Sequence, residues 1–133
     1  MTVGAFYRMV MRTSGDRRRE MAKRATAAVF HALRDRLTAE ESDQVVDQLP
    51  APLKVIWRAG EKAERRPLKL HRAEFFERVK VEMGAESARE ARWLTLAVFA
   101  ALKEQLSPGE AEDVLAQLPK DLKEVWAEAQ AEA

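Results

Sequence analysis

The sequence predicts an all-α fold: a pseudo-symmetric bundle of two duplicated four-helix units, about eight helices in all. Three observations carry that reading. Ala, Leu, Glu, Arg and Lys dominate the composition, and all are strong helix formers. Apolar residues recur at helical rather than strand spacing. Finally, the chain repeats itself: TAEESDQVVDQLPAPLKVIW at 38–57 returns as SPGEAEDVLAQLPKDLKEVW at 107–126. A displacement of 69 positions pairs Phe6 with Phe75, Val10 with Val79, Gly15 with Gly84 and Ala22 with Ala91. The same displacement pairs Ala28, Val29 and Phe30 with Ala97, Val98 and Phe99, and reaches Trp57 and Trp126 without a gap. Register kept over that distance marks an internal repeat rather than chance.

Each unit reads as four helices. The first spans about 3–12, ended by Gly15, and its counterpart spans 72–82, ended by Gly84. A long helix follows near 17–37 and 86–106, with residues 22, 26, 29, 30, 33 and 37 laying one stripe along it. Thr38 with Glu41, and Ser107 with Glu110, have capping-box spacing, and Pro108 occupies the favoured first helical position. The third helix stops at Gln-Leu-Pro, because proline disfavours helical geometry in the residue before it. A short fourth helix carries Leu53 and Trp57, or Leu122 and Trp126, back onto the long helix. Four short helices bury little alone, so the units are expected to cover each other. The reading is one domain, 1–133, of repeats 1–60 and 71–130 joined by a charged linker, 61–70, expected to cross in the open.

Composition removes several classes of chemistry. The absence of Cys excludes disulfides, thiolate metal sites and cysteine nucleophiles. No apolar run approaches the roughly 18 residues of a membrane span, so no membrane partner is expected and the reading is cytoplasmic. The basic N-terminus, MTVGAFYRMVMR, has the look of a targeting segment, but Phe6 and Val10 recur within the repeat and argue for a structural role.

A Phe-rich helix, a Gly, a long Ala-rich helix, a Thr/Ser cap with Glu, then QLP and LKxxW together resemble a bacterial family known as domain of unknown function 2267. The runs EFFERVKVEMG and AVFAALKEQLSPGEAEDVLAQLPKDLKEVW match its typical wording most closely. The resemblance covers nearly the whole chain and implies a small all-helical bacterial protein. It implies no activity, substrate or catalytic residue. The linker ERRPLKLHR departs from the pattern in being more basic.

A search for chemistry yields no catalytic constellation, metal site or cofactor motif. His31 and His71 are isolated, with no HExxH, phosphate-binding Gly-rich loop or GxSxG. Both read as surface residues, His31 because it lies off the Val29, Leu33 and Leu37 stripe. Carboxylates gather at Glu40, Glu41, Asp43 and Asp47, and at Glu110, Glu112 and Asp113. In the first turns of the third helices, their simplest role is to complement the helix dipole. Trp57 and Trp126 read as packing residues.

Differences between the copies are therefore the better guide to function. Residues 1–37 hold nine Lys/Arg against three Asp/Glu, and residues 83–133 hold five against ten. The basic cluster is Arg17, Arg18, Arg19, Lys23 and Arg24, with Arg65 and Arg66 as possible additions. Opposite charge in the two halves favours either pairing within the chain or head-to-tail association. The second difference is apolar: Trp93, Leu96, Ala97 and Ala100 stand where the first copy has Arg24, Ala27, Ala28 and His31. They lie opposite the Leu94, Val98 and Leu102 stripe, so the second long helix is apolar nearly all round. The expectation is a non-enzymatic helical interaction or self-association module that uses this face toward a second copy or another protein. Nucleic-acid binding through the basic cluster is the alternative. It is weakened by Glu20 within the cluster, by the acidic second half and by the lack of interleaved aromatics.

Overall fold

The computed structural model describes residues 1–131, and they form eight α-helices with no strand among them. These are α1 (Val3–Ser14), α2 (Arg19–Arg36), α3 (Ala39–Asp47), α4 (Ala51–Arg58), α5 (Arg72–Met83), α6 (Ala88–Gln105), α7 (Pro108–Ala116) and α8 (Lys120–Glu128). The fold is all-α, as the periodicity predicts.

Local chemistry sets most of the boundaries. Thr2, Thr38, Ser87 and Ser107 cap α1, α3, α6 and α7, each accepting a hydrogen bond from the backbone N–H three residues on. Gly15 and Gly84 end α1 and α5 with φ of 75°, the left-handed geometry that a Cβ disfavours. Pro50 and Pro119 stand at the N-caps of α4 and α8, holding extended backbone before each helix.

The long helices α2 and α6 touch each other and form the middle of the molecule. The most extensive packing is crossed: α1 lies on α6, and α5 lies on α2. The stripe positions Ala22, Thr26, Val29, Phe30, Leu33 and Leu37 are all buried. An aromatic chain runs through each half. Phe6, Phe30 and Trp57 stand edge to face with centroids 5.7 and 5.1 Å apart. Phe75 and Phe99 stand edge to face at 5.7 Å, and Phe99 and Trp126 are tilted at 5.0 Å.

The linker is fastened rather than free. Leu68 donates its N–H to the Asp35 carbonyl at 2.7 Å, and Leu70 is buried. Arg65 buries its stem and donates from Nη1 to the Leu37 carbonyl at 2.7 Å. It thereby satisfies an orphan acceptor at the end of α2, a use for a linker arginine that charge counting does not suggest.

Candidate functional site

The apolar face peculiar to α6 divides between core and surface. Ala97 and Ala100 are 1% exposed, covered by the protein's own helices. Leu96 is half-buried, whereas Trp93 is 55% exposed. Trp93 is held nonetheless: its indole Nε1 donates to the Ser14 carbonyl at 2.7 Å, an acceptor at the C-terminal end of α1. A groove of about 220 Å³ opens beside it, lined by Thr13, Leu96, Ala97, Glu128, Ala129 and Gln130. The bond to Ser14 sets the ring at the α1–α2 turn, where the basic cluster begins.

Arg17, Arg18, Arg19, Lys23 and Arg24 are all exposed. Asp16 orders the start of the cluster, its carboxylate accepting from Arg18 N, Nε and Nη2 at 2.9, 3.1 and 2.8 Å. Those bonds hold the Asp16 carboxyl below the usual range. Glu90 in the first turn of α6 and Glu86 just before it also bear on Arg18, so charge of the second half comes close to the basic run. Arg65 and Arg66 are elsewhere. They line a cavity of about 130 Å³ with Asp35, Gly60, Lys62 and Leu68, at the far end of α2. The length of that helix, about 25 Å at 1.5 Å per residue, separates them from the start of the basic cluster.

The repeated third helices produce an arrangement that the cap motif hides. A full capping box would turn Glu41 and Glu110 back onto the N-cap N–H groups. Here the amides of the Gln-Leu-Pro glutamines take those positions reciprocally. Thr38 N donates to Gln117 Oε1 at 3.0 Å, and Gln117 Nε2 donates to Thr38 Oγ1 at 3.2 Å. Ser107 N donates to Gln48 Oε1 at 2.7 Å, and Gln48 Nε2 donates to Ser107 Oγ at 3.2 Å. Each glutamine thus caps the helix of the other half. Released from that duty, Glu41 and Glu110 turn inward to 8% and 6% exposure. Burial, followed by the neighbouring Glu41 carboxyl and then Asp113, pushes the Glu110 carboxyl up to about 8.

His31 corrects the expectation of a solvent-facing histidine. Its Nδ1 lies 2.7 Å from Glu82 Oε2, and its Nε2 lies 2.7 Å from the Ile56 carbonyl. The hydrogen bond with Glu82 raises its pKa against the opposing effect of burial. His71 is exposed, at the N-cap of α5 and 3.6 Å from Asp121. Two cations that close helix ends, the buried Arg34 and the partly buried Lys103, escaped the sequence reading. Arg34 donates to the carbonyls of Trp57 and Ala59 at 2.8 and 2.7 Å, at the C-terminal end of α4. Lys103 donates to the carbonyls of Trp126 and Ala129 at 2.9 Å in both cases, at the C-terminal end of α8. The signal was present: the 69-residue displacement pairs Arg34 with Lys103, a cation kept at the same place near the C-terminal end of both long helices.

Among the described residues, no helix is long and apolar enough to cross a membrane. No curated protein matches the chain. The order of features along it does have a counterpart, in a family described as an uncharacterized conserved protein: residues 4–125 match the model of that family, and the chain belongs to DUF2267.

Proposed function

We propose that the protein is a non-enzymatic helical interaction module that docks an acidic protein surface, a second copy of itself included, around Trp93. The observation that carries this reading is the placement of Trp93. An indole more than half exposed sits at the turn that opens a run of five exposed cations. Exposed Trp and Arg are the residue types that anchor protein interfaces. The contact surface is smaller than the sequence suggests, because Ala97 and Ala100 serve the core. It consists of Trp93, the exposed part of Leu96 and the cations Arg17, Arg18, Arg19, Lys23 and Arg24. The acidic residues of the second half give a second copy the complementary charge.

Sedimentation over a wide concentration range tests the self-docking form. The expected result is association that weakens with added salt and with Trp93→Ala. A species that stays monomeric throughout, in low salt as well as high, removes it.

One observation favours a second reading, binding of single-stranded nucleic acid. The aromatic missing from the basic run in sequence is supplied in space by Trp93, and a stacking ring beside cations suits that ligand. Quenching of Trp93 fluorescence by an oligonucleotide, lost in added salt and in Arg17→Glu/Arg18→Glu, would support it. Unchanged fluorescence at low salt would count against it.

A further inference from the structure

The contact between α3 and α7 holds a group of side chains that neither cap chemistry nor the proposed interface uses. Glu41 and Glu110 occupy the third positions of these helices, one from each half of the chain. Asp113, on the next turn of α7, is exposed and reaches the same point. One carboxylate oxygen from each of the three lies within 4.8 Å of the others.

Burial makes this more than a cluster of acids. Glu41 Oε2 and Glu110 Oε2 are buried with no hydrogen-bond partner among the described residues, on side chains more than nine-tenths buried. The charged groups that bear on Glu110 are Glu41 and Asp113, both of its own sign. Buried carboxylates are ordinarily paired, hydrogen-bonded or bound to a metal. Among the described residues no cation bears on Glu110, and the hydrogen-bonding neighbour it meets is the Glu41 carboxyl, which faces it across the junction of the halves.

We propose that Glu41, Glu110 and Asp113 bind one hard divalent cation, of the Ca²⁺ and Mg²⁺ class, which clamps α3 to α7. The donor chemistry selects that class: three carboxylates, no imidazole and no thiolate. The spacing suits it as well. Metal–oxygen distances of about 2.1–2.5 Å put neighbouring ligand oxygens about 3.0–3.5 Å apart and opposed ones about 4.2–5.0 Å apart. A dication offsets most of the charge of three carboxylates, and Asp113, being exposed, leaves an open side for entry and for water ligands. The role is structural, since the ligands come from both halves and the bond fastens one to the other. It does not depend on the Trp93 interface.

Thermal unfolding and isothermal titration of the full chain at about pH 9, above the value of about 8 to which the Glu110 carboxyl is pushed, test the site. After chelator treatment, millimolar CaCl2 or MgCl2 is expected to raise the melting temperature above that in KCl of matched ionic strength, with saturation. Asp113→Asn, at an exposed position, is expected to fold normally and to weaken the cation's affinity about tenfold or more. Glu110→Gln is expected to abolish the shift while keeping or raising the metal-free melting temperature, because like charge is removed. No shift and no binding heat with either cation would overturn the site and assign the pair to a shared proton. A shift of equal size in Glu110→Gln would also overturn it and assign the effect to salt.

Discussion

At the scale of single residues, the two copies solve the same problem with different atoms, and the differences give direct tests. Trp57 and Trp126 close equivalent aromatic chains, yet among the described residues only Trp57 meets a hydroxyl, donating from Nε1 to Ser42 Oγ at 2.8 Å. The position equivalent to Ser42 in the second copy is Ala111. Ser42 is fully buried, so Ser42→Ala strands the indole N–H without water and should cost about 1–3 kcal/mol. Adding Trp57→Phe removes the stranded donor, and the second substitution should then cost less than Trp57→Phe alone; denaturant unfolding of the four proteins reads the coupling. His31 is the second test at this scale. Both of its ring nitrogens face acceptors, Glu82 and the Ile56 carbonyl, so only the doubly protonated ring satisfies both. Its folded pKa is raised above the ordinary value, first by the Glu82 hydrogen bond. The stabilisation is therefore fully present below the unfolded pKa of about 6.5 and is lost as pH rises through the higher folded value. Melting temperatures measured across this window should fall more steeply with pH in the natural protein than in Glu82→Gln. Parallel curves would remove His31 from the pH response.

At the scale of elements, the glycines that end α1 and α5 form a matched pair in different surroundings. Both hold φ of 75°, but a Cβ on Gly15 meets nothing, whereas one on Gly84 lies 2.7 Å from Arg24 Nη2. Arg24 is exposed and its guanidinium is free to swing aside. Conformation rather than contact then sets the penalty, so Gly15→Ala and Gly84→Ala should each cost about 1 kcal/mol in chemical unfolding. A much larger loss at Gly84 would mean that Arg24 is held in place. Elements of this kind were legible in the sequence because their signals are local: a cap three residues before its N–H partner, a glycine stop, a proline break and a stripe at helical period. What stayed hidden is what one half does to the other. Gln48 and Gln117 cap helices that lie 59 and 79 residues away along the chain, and nothing nearby in sequence marks them as caps. Glu41 and Glu110 looked like ordinary first-turn acids because their burial comes from α3 meeting α7. The Trp93 face was legible as apolar, but which of its residues are core depends on where other helices come to lie.

At the scale of the whole molecule, the crossed packing decides whether a repeat is also a folding unit. Within the first half, Phe6, Phe30 and Trp57 join α1, α2 and α4, which gives residues 1–60 an aromatic centre of their own. Yet α1 packs more extensively on α6 than on α2, and α5 packs more extensively on α2 than α1 does. Cut between the halves, α2 loses α5 and α6, and α1 loses its larger partner. Buried small residues such as Ala25, Ala28 and Ala32 record how closely neighbouring helices approach α2. The ion pair from Arg78 to Asp35 at 2.8 Å and the glutamine clasps would be lost in the same cut. A fragment of about 60 residues lies near the lower limit at which one core sustains itself, and this one would expose apolar surface along much of its central helix. Residues 1–60 alone are therefore expected to show weak helical circular dichroism and no cooperative thermal transition. Mixing them with residues 61–133 should restore both, because each fragment carries the helix that covers the other's long helix. Cooperative unfolding of 1–60 alone, unaffected by the second fragment, would show that the aromatic chain suffices and that the crossed helices only join two finished domains.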